Sequence, residues 1–320
     1  MRLVTNSPTD YIDDHLYSFK RLLIMTRKIA QWNVYPIGFG GMPLSLLASR
    51  PSEADAIKVL HAALDAGINL WDTADAYCID EKEVGHNERL FGKAIAELPP
   101  GKREKVVPIT KCGLTRPEAR WDRDGSAKHV REATEASLKN LRVSAIPIQQ
   151  YHRIDPNTPV EETYGELMKL QKEGKILHIG SSNHSVAELT RVLATGVKIV
   201  SLQNQYSRKH RNPEFDGTLQ FTRERGIAFL PWSPLDGMGG AKDVAAKHAG
   251  IARIAQARGV SPHRVALAWL LAMGPHVIPI PGTTKIANAQ DCAAAASLTL
   301  TKDELALLAA EAPMQGAPHS

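Results

Sequence analysis

The feature that most constrains this chain is a repeating alternation of short β-type apolar runs with stretches of helical periodicity. The runs are Val34–Gly40, Ile68–Ala74, Val106–Cys112, Ala145–His152, Ile176–Asn183, Ile199–Tyr206, Ile227–Ser233 and Val277–Pro281. Several are apolar on both faces, as strands of a parallel sheet covered on both sides must be. Helix signals stand between them. Ser52 precedes Ile57, Leu60 and Leu64 on one face, with Gly67 behind; Ser126 precedes Val130, Ala133, Ser137 and Leu141. Thr158, Pro159 and Glu161 read as a capping box ended by Gly174, Ser185 and Glu188 as a second, and Ser261–Pro262 opens a stripe of Val265, Ala268, Trp269 and Ala272. Eight strands in one unbroken series, each followed by helix or loop, predict a single α/β domain, a (β/α)8 TIM barrel over residues 27–312. Residues 1–26 lack a clear period and read as a disordered or tag-like extension, with Met25 as a candidate start; residues 313–320 read as a loose C-terminal tail.

Composition excludes several classes. The 39 basic and 34 acidic residues are interspersed, and the net charge of +5 comes with no long basic run, so nucleic-acid binding is not expected. No run approaches ~18 apolar residues, so neither a transmembrane helix nor a membrane partner is expected. The three cysteines, Cys78, Cys112 and Cys292, are widely spaced without a CxxC, which argues against a disulfide framework or a zinc site and makes a reducing cytoplasm the default compartment. No metal-ligand cluster stands out, and none is expected.

In an α/β barrel the chemistry sits just past the C-terminal ends of the strands. That rule selects Asp72, Asp75 and Tyr77 after the second run, Lys111 after the third, His152 and Asp155 after the fourth, and Ser182, Asn183 and His184 after the fifth. It selects Gln203 and Tyr206 after the sixth, Trp232 and Ser233 after the seventh, and Thr283, Thr284 and Lys285 after the eighth. A lysine at a buried strand end needs a counter-charge, which Asp72 on the neighbouring strand can supply. A phenol beside that ammonium should have its pKa pulled down and can then protonate a developing alkoxide. His152 can donate a hydrogen bond to a substrate carbonyl. Taken singly, an Asp or Lys here is more often a structural ion pair, and His184 and His210 read as surface or capping residues.

The motifs GFGGM, DAGINLWDTADAY, ITK, SLKNLRVSAIPIQQYHRID, LQKEGKILHIGSSN, LQNQYS, PWSPL and IPIPGTT, spread over roughly residues 27–310, resemble the aldo-keto reductase family, in particular its bacterial short-loop members. No G-x-G-x-x-G follows a strand, so a Rossmann nucleotide fold is not expected. The resemblance implies reduction of aldehydes or ketones by hydride transfer from NADPH, with NADH as the alternative. It implies that Asp72, Tyr77, Lys111 and His152 form the catalytic tetrad, with Tyr77 as general acid. It places Ser182, Asn183 and Gln203 at the nicotinamide carboxamide and Trp232 on the nicotinamide ring. Ser233, Pro234, Leu235 and Gly237 fall at the pyrophosphate, and Gly282, Thr283, Thr284 and Lys285 at the adenosine ribose and its 2′-phosphate. Gly41 and Met42 of the first motif also fall in the cofactor site, and Trp121, in the loop 113–125, joins Tyr77 and His152 at the substrate pocket. The chain departs from the family at the adenine end: Gln290 stands for an acidic contact and Cys292 for an asparagine. Cys78 and Cys112 read as packing residues, and the glycine-bearing segment 236–250 as a mobile flap. An alternative in a different class is an NADP(H)-binding regulatory or sensor protein with weak turnover. A hydrolase built on Asp72 and Asp155 is a more distant one.

Overall fold

The computed structural model describes residues 26–237 and 239–311. The expected extension over 1–26, apart from Thr26, and the expected tail over 313–320 lie outside the described residues. The strands are β1 (Arg27–Ile29), β2 (Trp32–Val34), β3 (Phe39–Gly40), β4 (Leu70–Asp72), β5 (Val107–Cys112), β6 (Leu114–Thr115), β7 (Asp122–Arg123), β8 (Ile146–Tyr151), β9 (Ile176–Ser182), β10 (Ile199–Gln203) and β11 (Ala228–Phe229). Seven of them form one curled sheet in the order β11-β10-β9-β8-β5-β4-β3, and every pairing in it is parallel. The main helices are α1 (Glu53–Asp65), α2 (His86–Glu97), α3 (Ala127–Leu141), α4 (Val160–Lys172), α5 (Val186–Ala194), α6 (Thr218–Glu224), α7 (Ala249–Arg258), α8 (Pro262–Ala272), α9 (Ile286–Ala294) and α10 (Lys302–Ala310).

Side-chain alternation along each strand sorts residues between two cores. The larger core lies between sheet and helices and takes Trp71, Cys112, Tyr151, Ile179, Leu202 and Phe229. The smaller one takes Leu70, Val107, Ile109, Ile148, Ala228, Leu230 and Ile278 from the concave face of the sheet, together with Ile29 and Val34. Those last two belong to an antiparallel hairpin, β1–β2, that closes the N-terminal end of the sheet. Arg27 fixes this hairpin by donating to the carbonyls of Leu271, Gly274 and Val277. Trp32 meets His178 edge-on at 5.5 Å.

The first expected strand is therefore divided in two. The Tyr35 N–H goes to Asn69 Oδ1 at 2.8 Å and Pro36 has none, so the ladder cannot continue from Val34. The eighth expected run makes only one isolated bridge, Phe229 with Val277. Pro279 and Pro281 interrupt the donor series, but their carbonyls accept from Gly38 (2.9 Å) and Gly40 (3.0 Å), while Ile278 and Ile280 donate to Phe229 (2.8 Å) and Pro231 (3.1 Å). Ser52, Ser126, Ser185 and Ser261 cap α1, α3, α5 and α8 as expected, with the full reciprocal box at Ser185 and Glu188. The box expected at Thr158 does not form. Its hydroxyl donates to Asp155 Oδ2 at 2.7 Å, and Pro159 stands at the N-cap of α4 without a side-chain bond. No helix among the described residues is long and apolar enough to cross a membrane.

Candidate active site

Register and alternation bring four side chains together. Asp72 ends β4 opposite Ile109 of β5, and Lys111 lies two residues further along β5 on the same concave face. Lys111 pairs across with Gln150 of β8, and His152 follows on the same face two residues later. Tyr77 lies in the loop after β4. Lys111 Nζ donates to Asp72 Oδ2 (2.8 Å), the Thr73 carbonyl (2.9 Å) and the Tyr77 hydroxyl (3.0 Å), so all three of its protons are used. It also lies 4.7 Å from the centre of the Tyr77 ring. Asp72 Oδ1 accepts from Gln203 Nε2 (2.8 Å) and Gln150 Nε2 (3.5 Å). The Tyr77 and His152 rings meet edge-on at 5.7 Å.

Burial decides the protonation of this group. Lys111 is 0% and Asp72 1% exposed. Desolvation pulls the ammonium down, but Asp72 and Tyr77 outweigh it and the Lys111 pKa ends above its ordinary value. Desolvation also raises the Tyr77 phenol, against the opposing pull of Lys111. This corrects the expectation of a lowered tyrosine: the neighbouring cation is present, but the cost of burying a phenolate exceeds its attraction. Tyr77 is accordingly held as a protonated phenol whose oxygen already accepts a hydrogen bond from a cation. His152 goes the other way. Burial, then Lys111 and Arg153, push its pKa well below the usual histidine value, so the imidazole is neutral. Its Nδ1 is buried with no partner among the described residues.

Around this group lie the residues expected to hold the cofactor. Ser182 Oγ donates to the Gln203 carbonyl (2.9 Å). Asn183, in the left-handed region at φ 57°, donates to the His152 carbonyl (3.0 Å) and to Ser182 Oγ (3.0 Å). Its Oδ1 accepts from Trp232 Nε1 at 3.0 Å. Ser182, Asn183, Gln203 and Trp232 thus form one network that abuts the tetrad. Ser233 (φ 50°) and Gly237 (φ 86°) turn the chain sharply after β11; Pro234 is buried, and Leu235 packs on the outer core. Gly41 donates to the Asp72 carbonyl at 2.8 Å, and a β-carbon there would sit 2.5 Å from the Phe91 ring, so only glycine permits this approach. Met42 is half-buried beside it. A β-carbon on Gly282 would likewise sit 2.5 Å from the Gly40 carbonyl oxygen, and Thr283 Oγ1 accepts from the Lys285 N–H (3.1 Å). Thr284, Lys285 and Gln290 are exposed.

Where the chain departs from the family's expected adenine contacts, its side chains have other partners. Asp291 accepts from Arg264 Nε (2.6 Å) and Ser261 Oγ (2.5 Å), and so ties α9 to α8. Cys292 packs into the core, where burial pushes its thiol to about 12. Cys112 points toward the helices and is raised to about 12, and Cys78 to about 11, both chiefly by desolvation. Asp75 accepts from the Ala76 N–H at 2.6 Å and does not join the tetrad. Trp121 is exposed and lies under the Arg116 guanidinium at 3.9 Å. His184 is buried, not a surface residue, and is held by Tyr164 and the Ser182 carbonyl. The segment 236–250 is tied down within its described residues by a 2.7 Å contact between Asp236 and His248. Sequence reasoning missed Gln150, whose inward position follows from the alternation with Ile148 and His152. Among the described residues, no group of His, Cys, Asp and Glu is arranged to hold a metal.

The model of the aldo/keto reductase family matches residues 36–311. A probable aldo-keto reductase 1 of Glycine max is 35% identical over 301 residues, covering 86% of this chain and 84% of its own. The aldo-keto reductase str7 of Strobilurus tenacellus is 34% identical over 319 residues, covering 88% and 90%. Among solved structures, a Klebsiella pneumoniae aldo/keto reductase in complex with NADP and acetate superposes with a TM-score of 0.75 at 26% identity, covering 89% of this chain and 94% of that one. The glycerol dehydrogenase of Gluconobacter oxydans gives 0.77 at 26%, covering 93% and 99%. Matched by the family model over residues 36–311 and by relatives over most of its length, the chain belongs to the aldo-keto reductase family.

Proposed function

We propose that this protein is a cytoplasmic NADPH-dependent reductase that converts aldehydes or ketones to alcohols. Its frame would be a single (β/α)8 barrel over residues 27–312, with Val277–Pro281 as the eighth stave. The observation that carries the reading is the single ammonium of Lys111 bonded at once to Asp72 and to the Tyr77 hydroxyl.

The residues present fit the dinucleotide. Left-handed turns at Ser233 and Gly237 follow β11 where a pyrophosphate would lie, and Lys285 stands exposed at the N-cap of α9, where its charge and the helix end both favour a phosphate. Trp232 offers a half-buried aromatic face beside Asn183. Bound there, NADPH would supply the hydride.

The remaining work falls to the chain. Neutral His152 orients the carbonyl oxygen toward Tyr77. The Tyr77 hydroxyl gives its proton to that oxygen as negative charge develops. Lys111 stabilises the phenolate left behind, because its N–H is already aimed at the tyrosine oxygen and needs no reorganisation. Asp72, braced by Gln203 and Gln150, holds Lys111 charged and in place. The Tyr77→Phe variant tests this. It should bind NADPH as the parent does yet reduce a panel of aldehydes at least about a thousandfold more slowly, within the range set by losing general-acid assistance. Undiminished aldehyde-dependent loss of NADPH absorbance would refute the role. NADPH binding without turnover by the parent would instead mark a nucleotide sensor.

A further inference from the structure

Arg153 follows His152 directly and is half-buried, yet the mechanism above does not use it. Among the described residues, its guanidinium is near enough to feel Arg123, a second cation, and Tyr77, and it pairs with no carboxylate. Arg153 in turn acts on His152. The neighbouring carboxylates are committed elsewhere. Asp155 accepts from the Gly125 N–H (3.0 Å), the Asn157 N–H (2.9 Å) and Thr158 Oγ1 (2.7 Å). Asp124 Oδ1 accepts from the Ser126 N–H (2.9 Å), and Asp122 Oδ1 from the Arg123 N–H (2.8 Å).

Arg123 reaches the same place from a different element. The antiparallel pair β6–β7 sets Arg123 opposite Leu114, and its Nη1 donates to the Ile154 carbonyl at 3.2 Å, one residue beyond Arg153. Arg116 on the same loop stacks on Trp121 and donates through Nη2 to the Ile79 carbonyl, although its Nε and Nη1 are buried with no hydrogen-bond partner among the described residues. Arg153 has no such employment among the described residues. A guanidinium that is partly desolvated without a counter-ion, and set beside a second one, costs free energy unless an anion completes the site. Its planar fork suits a carboxylate, which it can bind through two parallel hydrogen bonds.

We propose that Arg153, backed by Arg123, is a specificity-determining residue that takes the carboxylate of a substrate whose aldehyde or keto carbon lies at Tyr77. The preferred substrate class is then carbonyl compounds that carry an acid group. This rests on the reductase reading above.

The test compares 4-formylbenzoate with its methyl ester, using NADPH and the full chain. The parent should favour the acid by about ten- to a hundredfold in kcat/KM, the range expected of a charge-assisted hydrogen bond, mostly through KM. The preference should shrink as salt is raised. Arg153→Met should abolish the preference, and Arg153→Lys, which keeps charge but loses the fork, should retain part of it. No preference in the parent, or an equal fall for acid and ester in Arg153→Met, overturns the proposal, since a merely structural role would lower both alike. If neither compound is reduced, the reductase reading fails on its own account. A calorimetric titration with benzoate against benzamide then decides the site: binding of benzoate alone, lost in Arg153→Met, sustains it, and no binding of benzoate overturns it.

Discussion

Replacing Lys111 by Met tests the buried centre most directly. The substitution keeps most of the volume and removes three hydrogen bonds, to Asp72, Thr73 and Tyr77. Both partners of the ion pair are sealed, with side-chain exposures of 0% and 2%. Removing one member of a buried pair costs about 3–5 kcal/mol, because the other charge is left without compensation. The cost here should fall near the lower end, about 3 kcal/mol, because Asp72 keeps the Gln203 and Gln150 amides and can escape by taking up a proton. Equilibrium urea unfolding of parent and variant measures it. The Asp72→Asn/Lys111→Met double variant should recover most of the loss, since neither charge is then buried alone. The pH dependence has a definite sign. Burial already raises the Asp72 pKa above 3.8, and losing Lys111 raises it further. The folded variant then binds more protons than its unfolded chain, so its deficit should narrow as pH falls from neutrality toward 3.8. A loss below about 1 kcal/mol, or a double variant no more stable than the single one, would refute the reasoning.

Two further outcomes follow from the same electrostatics. The three thiols, pushed to about 11, 12 and 12, should be silent to a disulfide reagent at pH 8 in the native protein and react fully only after denaturation; rapid reaction of any one would contradict its burial. His152, held neutral well below 6.5, should lower stability as pH falls through 6.5, because the unfolded chain takes up a proton that the folded one refuses. His152→Asn should flatten that part of the stability–pH curve, and an unchanged slope would assign the proton uptake to another residue.

Much of this is legible in the sequence. The order of elements follows from periodicity, and the tetrad from one rule about strand ends, because alternation and register carry Asp72, Lys111 and His152 to one face whatever the loops do. What escaped depends on competition between distant groups. The β1–β2 hairpin is too short and polar to announce itself, and its seating relies on Arg27 finding carbonyls some 250 residues away. Thr158 has the right spacing for a cap but a better partner in Asp155. His184 looks like a surface residue until Tyr164, from α4, claims it. The direction of the Tyr77 shift escapes the sequence because a neighbour's charge can be read from residue order whereas the depth of burial cannot. Arg153 is visible in the string, but that no carboxylate among the described residues answers it is a property of the assembled fold.

The hairpin under the sheet has a consequence for proton supply. Ile29 and Val34 sit against Leu70, Val107, Ile109 and Ile148, so a dry apolar floor lies beneath Asp72 and Lys111. The site is a cup rather than a tube. On the proposed mechanism, a proton given up by Tyr77 would not be replaced from below, where the described residues of the floor are apolar. On that mechanism it would have to arrive through the opening by which the product leaves. Product departure and recharging would then be consecutive uses of one doorway, and whatever crowds that doorway would govern both.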